Sequence, residues 1–85
     1  MDKESAGQPI DVSKMSQLRP RELEVLRWVS EGKRNWEISK ILGCEMETVK
    51  KHVHRILKTL GVENRFCAAL VYLASLRRGG GEKAA

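Results

Sequence analysis

Apolar side chains along this chain recur in four groups at helical spacing, and nowhere with the alternation of a strand. The first group is Leu23, Leu26 and Val29, with Val25 beside it. It follows Pro20, which suits a first helical position because its missing N–H would have no partner there. Gly32 closes the segment, since glycine enters the left-handed cap without steric penalty. The second group begins after Asn35, a good capping residue, carries Ile38, Ile41 and Leu42, and stops at Gly43. The third, about 46–60, sets Val49, Val53, Ile56, Leu57 and Leu60 on one face and ends at Gly61. The fourth, about 65–78, carries Ala69, Leu70, Leu73, Ala74 and Leu76, and the glycines at 79–81 are expected to end it. The pattern predicts an all-α fold, a four-helix bundle-like domain over residues 16–78. A flexible polar arm is expected at 1–15 and a flexible glycine-rich tail at 79–85.

Only Gly43, Cys44 and Glu45 separate the second and third helices. A short glycine-containing turn between two amphipathic helices predicts a helix-turn-helix. Cys44 reads as a small apolar plug in the angle between them, not as a reactive thiol.

Charge changes the meaning of the third helix. Sixteen Lys and Arg stand against eleven Asp and Glu, a net charge of +5. Opposite its apolar stripe the helix shows Lys50, Lys51, His54, Arg55 and Lys58, with Glu45 and Glu47 opposing them near its start. Like charges one turn apart repel, so a folded domain gains little from this face alone. A DNA major groove admits a helix, neutralises its cations with phosphates and offers hydrogen-bond partners on base edges.

The same residues exclude other classes. Eighty-five residues make one small domain, and no run approaches the roughly 18 to 20 apolar residues of a membrane span. Two cysteines give no disulfide framework, and the first residues lack the apolar core of a signal peptide, so a cytoplasmic, nucleoid-associated protein is expected. His52, His54, Cys44 and Cys67 do not form a metal set, because residues two apart on a helix point roughly 200° apart. No phosphate-binding glycine loop, nucleophile elbow or His-Glu-x-x-His is present, and the expectation is a non-enzyme without cofactor or metal.

The run Leu18-Arg19-Pro20-Arg21-Glu22-Leu23-Glu24-Val25-Leu26, then Glu31-Gly32-Lys33, Asn35-Trp36-Glu37-Ile38, Leu42-Gly43, Thr48-Val49-Lys50-Lys51-His52 and Leu60-Gly61-Val62-Glu63-Asn64-Arg65 resembles the LuxR/GerE-type DNA-binding domain. The likeness spans residue 18 to about 75, and Trp36 to Cys44 is most similar to the quorum-sensing branch. It implies a four-helix domain, a homodimer through the last helix and transcriptional regulation at a promoter, with RNA polymerase as a further partner.

It also implies roles for single positions. Lys50, Lys51 and His54 match positions that look toward base edges in relatives, and Lys can donate to guanine. Lys33, Asn35, Thr48, Arg55 and Lys58 read as phosphate contacts. Glu22 and Arg65 match a structural pair, expected as an ion pair from the first helix to the fourth. The chain departs from the family at Arg19, where Thr is usual, and at Glu45, where Ser is usual. Arg19 forfeits a cap and opposes the helix dipole, and a phosphate contact could compensate. Glu47 or Glu45 could accept from cytosine N4, although helix-end electrostatics explains both. Trp36 either buries its ring against the core, the favoured reading, or offers its N–H to a phosphate. Trp28 is expected at the core or its edge, and His52 at the border of the apolar stripe.

The fourth helix has more apolar surface than so small a core needs. Leu70, Leu73 and Leu76, with Val71 and Tyr72 on adjoining faces, are the expected dimer surface. Two third helices would then meet half-sites about one turn apart on a pseudo-palindromic duplex. Two other readings stand beside this one. A promoter-reading sigma-factor region is opposed by the turn at 60–65 and the long fourth helix. A protein-interaction module acting on another regulator is opposed by the cations of the third helix. The chain is either a free-standing effector, which its initiating Met and polar arm favour, or a fragment of a longer regulator.

Overall fold

The computed structural model describes residues 10–84, with side chains as far as Arg77. A 3-10 turn over Ser13–Gln17 leads into α1 (Pro20–Ser30), α2 (Asn35–Leu42), α3 (Met46–Leu60) and α4 (Arg65–Ala84), and no strand occurs among the described residues. The all-α helix-turn-helix architecture is the one the apolar spacing predicts.

Local chemistry sets the ends of the helices. The Arg19 N–H donates to Glu22 Oε1 at 3.0 Å, and the Arg34 N–H donates to Glu37 Oε1 at 2.7 Å. Each is the returning half of a capping box, with an arginine where the capping side chain would stand. The second helix thus takes Arg34 as its cap, not Asn35, whose side chain is engaged elsewhere. Gly43 closes α2 at φ +68°, and the Cys44 N–H returns to the Ser39 carbonyl at 3.0 Å. Gly32 ends α1 in the same left-handed region, at φ +83°.

α1 packs on α3 and α4, and α2 packs on α3. The core between them holds Leu18, Val25, Leu26, Val29, Ile38, Val49, Ile56, Ala68 and Val71. Trp28, Val53, Leu57, Leu60 and Cys44 lie half-buried around it. Trp28 therefore sits at the core edge, and Cys44 plugs the turn between α2 and α3.

Several sequence expectations change here. Leu23 is exposed, and the buried position of the first turn is taken by Glu22, 4% exposed. Residues 22, 25, 26 and 29 form the inward face, so helix geometry outranks side-chain polarity at that point. Ile41 is exposed as well, because α2 is short and Ile38 alone reaches the centre. The expected arm at 1–15 is ordered in its described part: Met15 packs on the core, and the 3-10 turn lies against α3. Asp11 Oδ1 accepts the Ser13 N–H at 2.9 Å and starts that turn. Hydrogen bonds from the Ser13 side chain and backbone hold the Asp11 carboxyl below its ordinary pKa. Residues 1–9 and 85 lie outside the described part.

The glycines at 79–81 do not end the last helix, which runs to Ala84. Glycine in a helix costs about 1 kcal/mol relative to alanine but meets no steric bar to helical angles.

Candidate nucleic-acid interface

α3 carries two faces of opposite character. Val49 and Ile56 are fully buried, which fixes the rotation of the helix about its axis. That rotation leaves Glu47, Lys50, Lys51, His54, Arg55 and Lys58 outward and exposed, with Thr48 half-buried on the flank. His52 is half-buried at the border of the stripe, as expected. The structure therefore brings every α3 candidate onto one continuous surface.

The charges on that surface are only loosely held. Lys50 Nζ lies 3.3 Å from Glu47 Oε2, an exposed pair one turn apart. Arg55 Nη1 lies 3.9 Å from the buried Glu22. No carboxylate among the described residues pairs with Lys51 or Lys58. The exposed Lys50–Glu47 pair contributes about 1 kcal/mol or less and exchanges readily for a stronger anion, and the Arg55 contact is long, with its guanidinium exposed.

The start of α2 flanks the same face. Arg65 reaches back from α4, donating from Nη1 to Asn35 Oδ1 at 2.6 Å and from Nη2 to the Lys33 carbonyl at 3.0 Å. Partial burial of the guanidinium lowers its pKa, and these two acceptors offset the lost water. The expected ion pair between Glu22 and Arg65 is not formed: Glu22 serves Arg19 and Arg55, and Arg65 serves the loop before α2. Asn35 thus has its carbonyl oxygen committed and only its amide hydrogens to offer a phosphate.

Trp36 is 51% exposed, with Lys40 Nζ 5.9 Å from its ring centroid. The favoured reading of partial core burial does not hold. Ile38 already fills the inward position of this short helix, and Trp36 points away from it. Trp36 borders an open groove of about 630 Å³ that also takes in Lys33, Arg34, Met46, Phe66 and Leu70.

On α4 the expected dimer residues divide. Val71 is buried, and Tyr72 is half-buried against the core with part of its surface still exposed. Leu70, Leu73 and Leu76 are 42%, 47% and 48% exposed. Phe66, 70% exposed, extends their stripe by one turn toward the start of the helix. Sequence reasoning missed it, although its position four residues before Leu70 is the signal.

Comparison with known proteins places this geometry. The model of bacterial regulatory proteins of the luxR family, GerE, matches residues 16–72. The chain belongs to the luxR family. Among its luxR-type relatives, the transcriptional activator protein LuxR of Aliivibrio fischeri (strain ATCC 700601 / ES114) is 50% identical over 48 residues, 56% of this chain and 19% of the relative. Transcriptional activator protein YukR of Yersinia ruckeri is 47% identical over 60 residues, 71% of this chain and 26% of the relative. Nitrate/nitrite response regulator protein NarP of Escherichia coli (strain K12) is 36% identical over 58 residues, 68% of this chain and 27% of the relative. The match thus spans about a fifth to a quarter of each relative's length, and it coincides with the helix-turn-helix domain built above. No helix among the described residues is long and apolar enough to cross a membrane.

Proposed function

We propose that this domain binds double-stranded DNA in a sequence-specific way and regulates transcription, with α3 lying in the major groove. The observation that carries the reading is the single outward face of α3, where Lys50, Lys51 and His54 stand exposed and the buried Val49 and Ile56 prevent the helix from turning them away. Lys50, Lys51 and His54 donate to base edges, and Glu47 accepts from cytosine once Lys50 has moved to the duplex. Lys33, Thr48, Arg55 and Lys58 hold phosphates and set the register, joined by the Asn35 amide and the Trp36 N–H.

The domain acts as a dimer in this reading. Phe66, Leu70, Leu73 and Leu76 form an apolar stripe that a second copy covers by two-fold symmetry, so that the pair meets a pseudo-palindromic site. RNA polymerase is a further partner at a promoter, and the role is that of a cytoplasmic binding module without catalytic chemistry. A selection from randomised duplexes tests the base readout. The chain is expected to enrich a defined two-fold site, and Lys50→Ala is expected to relax the preference at one position in each half. Enrichment of no sequence would refute specific binding, and an unchanged site from the variant would refute readout by Lys50.

A further inference from the structure

A cleft of about 360 Å³ opens between the start of α1 and the flank of α3. Arg19 and Arg21 line one side, Thr48, Lys51 and Arg55 the other, and the buried Glu22 lies between them. Four cations thus meet around a single carboxylate. That carboxylate is already engaged, accepting the Arg19 N–H at 3.0 Å and facing Arg55 at 3.9 Å. Arg21 is tethered to Glu24 at 2.8 Å and to the Leu42 carbonyl at 3.4 Å. The Arg19 guanidinium, the Lys51 ammonium and the Thr48 hydroxyl have no acceptor among the described residues.

Arg19 is the odd member. It occupies the cap position of α1, yet a guanidinium has no lone pair with which to cap, and its charge opposes the positive end of the helix. Threonine there would suit folding better. A residue that weakens the fold at the mouth of a cationic cleft beside the DNA-facing helix points to an anion outside the chain.

We propose that this cleft seats a phosphate of the DNA backbone, with Arg19 as its principal grip. The proposal rests on the DNA-binding reading and extends its footprint to α1. The guanidinium fork matches two phosphate oxygens, and Thr48 and Arg55, which also line the cleft, complete the cradle. Helix geometry also assigns the wall of the groove. Met46 borders the groove beside Lys33 and Arg34, whereas Thr48 borders the cleft beside Arg19. Residues two apart lie about 160° around a helix by the shorter path, so the two cationic flanks stand on either side of the outward face. The phosphate gripped by Arg19 therefore lies on the strand opposite the one met by Lys33.

The full chain is titrated into a duplex carrying its selected site at salt from about 50 to 200 mM, by fluorescence anisotropy. Arg19→Thr is expected to lower the slope of log affinity against log salt by about 0.9 for each bound copy, hence about 1.8 for the pair on a two-fold site, and to weaken binding at least roughly tenfold at the low-salt end. Its melting temperature is expected to stay level or rise, which separates lost contact from lost folding. Arg19→Lys keeps most of the slope, and Arg27→Ala, which lines neither the groove nor the cleft, leaves it unchanged. A wild-type slope in a folded Arg19→Thr overturns the cleft proposal and leaves the DNA reading standing. A wild-type chain that binds no duplex overturns both. Replacing single phosphates by uncharged methylphosphonates assigns the strand: the position to which Arg19→Thr has become insensitive is expected opposite the one masked by Lys33→Ala. Both on one strand would overturn the opposed-wall placement.

Discussion

Removing the Glu22 side chain probes the link between folding and the cationic surface of α3. Glu22 is 4% exposed, its Oε1 accepts the Arg19 N–H at 3.0 Å, and its Oε2 lies 3.9 Å from Arg55. Glu22→Ala removes one hydrogen bond to a carboxylate, with a net worth of about 1.5 kcal/mol after water replaces it at the amide. It also deletes a buried methylene, about 0.8 kcal/mol. The ion pair adds little, because Arg55 is exposed and the separation is long. The sum is about 2–3 kcal/mol, which for a domain of this size lowers the melting temperature by roughly 10–20 °C. Glu22→Gln keeps both the shape and the Oε1 acceptor and loses only charge, so it is expected to cost about 1 kcal/mol or less. Thermal unfolding followed by circular dichroism measures both. An alanine variant within about 0.5 kcal/mol of wild type would refute the capping role. A glutamine variant as unstable as the alanine variant would show that the attraction to Arg55, not the hydrogen bond, holds Glu22.

Further outcomes follow from other contacts. Leu73→Glu, at an exposed position on the α4 stripe, is expected to leave the unfolding free energy of the monomer within about 0.5 kcal/mol of wild type while abolishing dimers in sedimentation velocity; a dimer that survives refutes the stripe. Gly43→Ala is expected to cost about 1–2 kcal/mol by denaturant unfolding, because φ +68° is strained for a residue with a Cβ although that atom meets nothing within 4 Å. Arg65→Ala frees the Asn35 and Lys33 oxygens, and faster amide exchange at the start of α2 is expected, with protection in the α3 core unchanged.

The helices were legible because their ends are chemically marked. Pro20, Gly32, Gly43 and Gly61 punctuate the chain where the apolar spacing breaks, and Val49, Val53 and Ile56 leave only one side of α3 for its cations. Side-chain character misled where geometry decided. Leu23 reads as core and Glu22 as surface, yet the packing of α1 on α3 and α4 turns residue 22 inward. The partner of Arg65 could not be read from spacing, since it depends on where the loop before α2 falls in space. Trp36 looked like a core residue because of its size, but Ile38 takes the fully buried position of this eight-residue helix, with Leu42 packed beside the core, and a residue two before Ile38 points roughly 200° away from it. On α4, the order of Val71 and Leu70 about the axis follows from which face meets α1, and that contact is tertiary.

The central claim is that the outward face of α3 holds the duplex. Lys50→Glu and Lys51→Glu together reverse two exposed charges that no core contact requires. With the helical signal intact, the double variant is expected to lose at least roughly 30-fold in affinity for the selected duplex at about 0.1 M salt. Wild-type affinity in a folded double variant would contradict the account.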